Sequence, residues 1–307
     1  MITLNLVNKE TSDIKFEVSH FPDGQNDITL NLNGGQLSGH SDIGMSWQLP
    51  VNIKARFNNF EDLGLIIAAN TALRRLGAKE IYLYIPYLMG ARSDREFQNG
   101  GNSYLVDVIA PILNLQAFES ITVLDVHSNV APACIKNLKM IDNADLVNFA
   151  LNEIYPNITK RMYLESNCVL VSPDAGASHK IVKLAEKIGY KGDIITCSKE
   201  RDNDGKLTST VVPLNGISKR KDFIIIDDIC DGGRTFINIA KKLIEEEIDG
   251  KIYLIVTHGI FSAGFKELSE YFDGIYCTNS YSNLKFHPSV NDIIGPSVNL
   301  AKQLNIF

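Results

Sequence analysis

From about residue 60 onward the chain alternates between short apolar runs and longer stretches in which apolar residues recur every three or four positions. "NFEDLGLIIAANTALRRLGA" (59–78) has the helical period, acids at its start and a glycine near its end. "EIYLYIPY" (80–87) is a strand pattern, "NSYLVDVIAPILN" (102–114) a helix and "SITVLDVHS" (120–128) a further strand. The order repeats through "CVLVSPDAG" (168–176), "ASHKIVKLAEKIG" (177–189), "DIITCSK" (193–199), "DFIIIDD" (222–228), "TFINIAKKLIEEE" (235–247) and "KIYLIVTHG" (251–259). Strands alternating with helices predict mainly parallel sheets flanked by helices, an α/β architecture. The first thirty-odd residues break this rhythm. "DIKFEVSHFPDGQNDITLNL" (13–32) has strand–turn–strand character around Asp23-Gly24, which predicts an antiparallel flap. The pattern divides into two similar halves near 138–150. The expected domains are 1–143 and 144–288, with "NLAKQLNIF" (299–307) closing a helix over 289–307 that returns to the first half.

A chain of 307 residues accommodates two such domains. Its 45% hydrophobic and 21% charged residues are ordinary for a globular protein. A formal charge of −6 offers no general attraction for nucleic acid or an anionic membrane, so an anionic small molecule has to be held by local groups. The five cysteines, Cys134, Cys168, Cys197, Cys230 and Cys277, are odd in number and scattered, which fits reduced thiols in the cytoplasm better than a disulfide framework. "ITLNLVNKE" after Met1 lacks the basic and apolar regions of an export signal, and no apolar stretch approaches a membrane span.

Chemistry concentrates in "KDFIIIDDICDGGRTFINIAKKL" (221–243). A buried strand ends on Asp227 and Asp228, a glycine pair follows, and a helix begins. Ligands of α/β sheets bind at the carboxyl ends of strands, and a helix N-terminus attracts anions. Carboxylates accept hydrogen bonds from vicinal sugar hydroxyls, while loop N–H groups and Thr235 donate to a phosphate. An acid pair beside a phosphate cradle suits a ribose 5-phosphate.

This stretch resembles the phosphoribosyl-diphosphate (PRPP) loop of type I phosphoribosyltransferases and of ribose-phosphate diphosphokinases. It keeps Asp227, Asp228, Asp231 and Thr235, with Gly232 in place of the usual Thr and Arg234 in place of the last Gly of the pattern. Further segments resemble the diphosphokinase family, in its order: "HFPDGQ" (20–25), "YIPYLMGARSDRE" (84–96), "DVHSN" (125–129), "VSPDAGASHK" (171–180), "SKERDNDGK" (198–206) and "THGIFS" (257–262). The resemblance implies two phosphoribosyltransferase-like domains and transfer of the β,γ-diphosphate of ATP to the 1-hydroxyl of ribose 5-phosphate, giving PRPP and AMP. It also implies roles. Lys199 and Arg201 are the cations over the transferring group, on a flexible stretch that closes over the substrates. His127 and Asp174 contact Mg²⁺. Arg92, Ser93 and Asp94 face ATP, as do Phe21, Asp23 and Gln25, on a flap lent by a neighbouring subunit of a homo-oligomer. Asp227, Asp228, Asp231, Gly232, Gly233, Arg234 and Thr235 hold the ribose phosphate.

Three departures stand out. Ser93 replaces a Gln, Gln25 replaces a Glu, and Arg234 adds a bidentate cation to a loop built for one phosphate. Arg234 raises a second acceptor, ADP-ribose, whose additional phosphate and bulk would lie by the small Gly232-Gly233 pair. The product would then be ADP-ribose 1-diphosphate, a route into NAD salvage. Outside this class stand a plain phosphoribosyltransferase and a non-catalytic regulatory relative. His258 is read as a structural strand-end histidine.

Overall fold

The computed structural model describes residues 1–31, 49–156, 161–201, 207–284 and 301–307, and at 161–162, 199–201 and 207–209 only their backbone. The chain divides into two compact units, residues 1–141 together with Phe307, and residues 142–306.

The first unit is a five-stranded parallel sheet. Its strands are β1 (Ile2–Asn5), β4 (Val51–Lys54), β5 (Ile81–Tyr84), β6 (Ser120–Leu124) and β7 (Leu138–Ile141), in that order. The chain between β1 and β4 supplies an antiparallel hairpin, β2 (Lys15–His20) with β3 (Asn26–Asn31), in the place and orientation the turn signal at Asp23-Gly24 predicts. Helix α1 (Phe60–Arg75) starts where Asn59 accepts the Asp62 N–H at 2.9 Å. It buries Leu63, Ile66, Ala69 and Leu73, the three-and-four spacing read from the sequence. The helix expected at 102–114 opens instead with a π-helical turn, Tyr104–Ile109, and continues as α2 (Ala110–Leu115). A short α3 (Ala131–Cys134) leads into β7.

The second unit begins with α4 (Ala144–Ile154) and α5 (Arg161–Asn167). Its strands are β8 (Cys168–Ser172), β9 (Asp193–Thr196), β10 (Ser198–Arg201), β11 (Leu207–Val211), β12 (Asp222–Cys230), β13 (Ile252–Gly259), β14 (Gly274–Thr278) and β15 (Ala301–Leu304). Six of them form a parallel sheet in the order β15-β14-β13-β12-β8-β9, and β10 pairs antiparallel with β11 as a separate ribbon. Three helices complete the unit, α6 (Ala175–Ile188), α7 (Arg234–Glu245) and α8 (Leu268–Tyr271). Every residue of β13 is buried, as continuous apolar parallel strands require.

The two faces of β12 separate cleanly. Phe223 and Ile225 pack in one core with Phe236, Ile237, Ile239, Ala240 and Leu243 of α7. Ile224 and Ile226 pack in another with Ile181, Leu184 and Ala185 of α6 and with Leu146 and Val147 of α4. This two-residue alternation governs where the acids at the strand's end are sent.

The chain's end departs from expectation. Where 289–307 was expected as a helix packed on the first half, its described part is the strand β15 on the second unit's sheet, paired with β14. Gln303 fixes this arrangement by donating to the carbonyls of Thr278 and Ser282 at 3.1 and 2.8 Å. Phe307 alone belongs with the first unit, its ring edge-on to Tyr84.

Candidate active site

Strand β12 delivers Asp227 and Asp228 to the carboxyl edge of the sheet, between β13 and β8. Asp228 continues the α6-facing side: its side chain is 6% exposed and accepts from the Lys180 ammonium at 2.6 Å. Asp227 falls on the α7 side and accepts the N–H of Asp228 at 2.9 Å. The adjacent acids therefore address opposite layers.

The turn that follows is shaped by Gly233, whose φ of 80° places it in the left-handed region as the residue preceding α7. Its carbonyl accepts from Phe236 and Ile237, both at 3.0 Å, so the helix starts tightly at Arg234. Among the described residues no group accepts from the backbone N–H of Gly232, Gly233, Arg234 or Thr235, nor from the Thr235 hydroxyl. Four successive donors at the positive end of a twelve-residue helix make an anion cradle. Arg234 is exposed and Thr235 half-buried.

The segment after β13 braces this turn. Ile260 and Phe261 donate their N–H groups to the Cys230 carbonyl at 2.9 and 3.1 Å. Ser262 donates its N–H to the Asp231 carbonyl at 3.2 Å and its hydroxyl to the Asp231 carboxylate at 2.6 Å. Phe261 adopts a φ of 51°, uncommon for so bulky a residue, and its buried ring lies over Gly259, where an added Cβ would stand 2.1 Å from it. His258 is 2% exposed and its Nδ1 lies 2.8 Å from the Ser280 hydroxyl, the structural setting the sequence suggested.

Asp174 is the N-cap of α6, accepting the Ala177 N–H at 3.1 Å, with its carbonyl bonded by Ser172. Helix α6 also reaches β9 through Ser178, whose hydroxyl lies 3.0 Å from that of Thr196. Beyond Thr196 the chain enters the ribbon. The stretch expected as flexible from 198 to 206 is strand over Ser198–Arg201, with Lys199 opposite Thr210 and Arg201 opposite Leu207. Residues 202–206 of that expectation lie outside the described residues.

In the first unit, Phe21, Asp23 and Gln25 occupy the hairpin tip. Phe21 is 48% exposed; its N–H donates to the Gln25 carbonyl at 2.9 Å, and the Gln25 N–H donates to the Asp23 carboxylate at 3.1 Å. Arg92, Ser93 and Asp94 follow β5, and the Ser93 N–H donates to Gly90 at 2.8 Å. His127 is exposed in the turn after β6, where Asp125 takes a φ of 42°. Ser128 joins the two segments: its hydroxyl donates to Asp94 at 2.7 Å and accepts the N–H groups of Val130 and Ala131. Ser128, Lys180 and Ser262 were missed as supports of the site. Each lies within a quoted segment, but its partner is distant in sequence, so local spacing carried no signal.

Residues 137–267 match the model of the phosphoribosyl transferase domain. A ribose-phosphate pyrophosphokinase of Thermosipho africanus is 26% identical over 87% of this chain and 78% of its own length. One of Aquifex aeolicus is 28% identical over 80% and 71%. Over most of its length the chain is similar to ribose-phosphate pyrophosphokinases. The fold agrees with a phosphoribosylpyrophosphate synthetase of Mycobacterium smegmatis, which superposes with a TM-score of 0.72 at 20% identity, over 97% of this chain and 88% of that one. The cradle after β12 and the brace of Ile260–Ser262 both fall inside the stretch matched by the domain model. No helix among the described residues is long and apolar enough to cross a membrane.

Proposed function

We propose that the chain transfers the β,γ-diphosphate of ATP to the 1-hydroxyl of ribose 5-phosphate, giving PRPP and AMP. The observation that carries this reading is the cradle after β12, four unaccepted N–H donors and the Thr235 hydroxyl beside three carboxylates, Asp227, Asp228 and Asp231. The donors suit the 5-phosphate and the carboxylates suit sugar hydroxyls. The 1-hydroxyl oxygen forms its bond to the β-phosphorus as the bond from that phosphorus to the AMP oxygen breaks. Such transfer depends on alignment and on cations over the transferring oxygens. Lys199 and Arg201 supply cations from the ribbon. Phe21, Asp23, Gln25, Arg92, Ser93 and Asp94 are assigned to ATP.

Mg²⁺ accompanies ATP in this reading and, when bound, neutralises charge on its phosphates. His127 and Asp174 are the residues that the resemblance assigns to metal contact. Among the described residues no group of three or more His, Cys, Asp or Glu side chains forms a metal cage. That fits an ion held largely by waters and phosphates. The exposed hairpin tip supports a homo-oligomer in which Phe21, Asp23 and Gln25 complete a neighbour's ATP site. Five cysteines that stand outside any disulfide support a cytoplasmic setting.

ADP-ribose is a second acceptor, favoured by one feature. Arg234 stands exposed at the first position of α7, and Gly232 leaves open space, with the nearest atoms to an added Cβ at 3.8 and 3.9 Å. In that case ADP-ribose 1-diphosphate is formed for NAD salvage. AMP release from Mg-ATP, with ribose 5-phosphate and ADP-ribose offered in parallel, tests both. AMP with ribose 5-phosphate supports PRPP synthesis; AMP mainly with ADP-ribose supports the second acceptor. Release with neither would overturn the reaction. Arg234→Gly is expected to weaken ADP-ribose use far more than ribose 5-phosphate use, and equal losses would remove ADP-ribose from consideration.

A further inference from the structure

Lys180 lies six residues past the N-cap of α6, and no catalytic role was assigned to it from sequence. Its ammonium is 2.6 Å from the Asp228 carboxylate, whose side chain is 6% exposed against 38% for Lys180. A carboxylate so deeply buried is costly unless paired. The pair is placed where its charge matters for binding. Three carboxylates, Asp227, Asp228 and Asp231, lie within five residues of one another beside a cradle for a phosphate dianion. Each opposes an incoming anion. A cation on one of them lowers that opposition and leaves Asp228 ionised, held in one orientation as an acceptor for sugar hydroxyls.

We infer that Lys180 is a positioning residue of the acceptor site: it fixes the Asp228 carboxylate and offsets its charge, so that the strand end can accept sugar hydroxyls next to a bound phosphate. The inference rests on the ribose-phosphate reading of the cradle. Helix α6 makes the arrangement coherent. The same helix is capped by Asp174, assigned to the metal, and is tied through Ser178 to Thr196, which ends the strand leading into the Lys199 ribbon. One rigid element thus sets the positions of three parts of the site within the second unit.

The test is the calorimetric affinity of the full chain for ribose 5-phosphate and, separately, for Mg-ATP, measured beside the melting temperature for wild type, Lys180→Met, Lys180→Gln and Lys180→Arg. ADP-ribose replaces ribose 5-phosphate if the wild type binds only that. Lys180→Met and Lys180→Gln are expected to weaken sugar-phosphate binding at least about tenfold while the ATP affinity stays within about twofold. Lys180→Arg is expected to restore most of the loss, because it keeps the charge. Lys180→Gln keeps the test informative should Lys180→Met fail to fold. Parallel losses for both ligands, tracking the melting temperature, would reduce Lys180 to a structural ion pair and overturn the inference. Unchanged sugar-phosphate affinity in Lys180→Gln would do the same. A wild type that binds the sugar phosphate but releases no AMP would refute the proposed reaction while leaving the Lys180 comparison valid. A wild type that binds neither sugar phosphate would overturn both.

Discussion

Gly232 and Gly233 are neighbours under different constraints. Gly233 needs its positive φ of 80°, and a Cβ there would stand 3.0 Å from Leu268. Gly233→Ala is therefore expected to cost about 1–2 kcal/mol, read as a lower urea midpoint, and to weaken ribose-phosphate binding by displacing the cradle's N–H groups. Gly232 is exposed and open, with Ser262 and Ala263 in ordinary contact at 3.8 and 3.9 Å of an added Cβ. Gly232→Thr, the residue usual in the resembling loops, is expected to leave the urea midpoint nearly unchanged, within about 0.5 kcal/mol. The sequence distinguished these glycines from a helix but not from each other, since both fit a turn. The acid pair was likewise legible, and its division between two faces follows from the strand period. The partner that makes the division consequential, Lys180, lies 48 residues upstream, beyond any local pattern.

Long, strongly patterned elements were readable because burial and period agree in them. The chain end was not. "AKQL" has no decisive period, and it becomes a strand because the open edge of β14 offers a ladder and Gln303 reaches the carbonyls of Thr278 and Ser282. The ribbon escaped for a related reason. "SKER" is polar on both faces, so nothing in it marks a strand until Leu207–Val211 pairs with it. Carrying Lys199 on a paired strand gives that residue a defined backbone, and Lys199→Ala is expected to lower kcat at least about a hundredfold with little change in melting temperature. Elsewhere α4 is latched to the root of β12. The Tyr155 hydroxyl donates to Asp222 at 2.6 Å, with burial of the phenol and this bond together pushing its pKa well up. Tyr155→Phe is expected to cost about 1–2 kcal/mol in denaturant unfolding while leaving ligand affinities intact.

At the scale of the whole molecule, residues assigned to ATP lie in the first unit and those assigned to ribose phosphate in the second. If the hairpin tip serves a neighbouring subunit, two defective chains should complement one another. Phe21→Ala and Lys199→Ala proteins, each expected to release little AMP alone, are expected to regain a measurable fraction after subunit exchange. Mixing without recovery, in an oligomer shown by light scattering to have exchanged, would assign the hairpin to its own chain. Oligomeric arrangement had no signature in the sequence beyond the resemblance, because association depends on surfaces assembled from distant segments. The cysteines lead to a practical consequence. Cys168, Cys197, Cys230 and Cys277 are buried and Cys134 is half-buried. Burial pushes the thiols of Cys168 and Cys277 up to about 12 and raises those of Cys134 and Cys230. A raised thiol pKa leaves less of the thiolate with which maleimides react, and burial also blocks access to the sulfur. Four of the five thiols are therefore shielded from thiol labels, and a single cysteine introduced at the exposed hairpin tip, in place of Asp23, would be a more accessible site for a fluorophore that marks the hairpin.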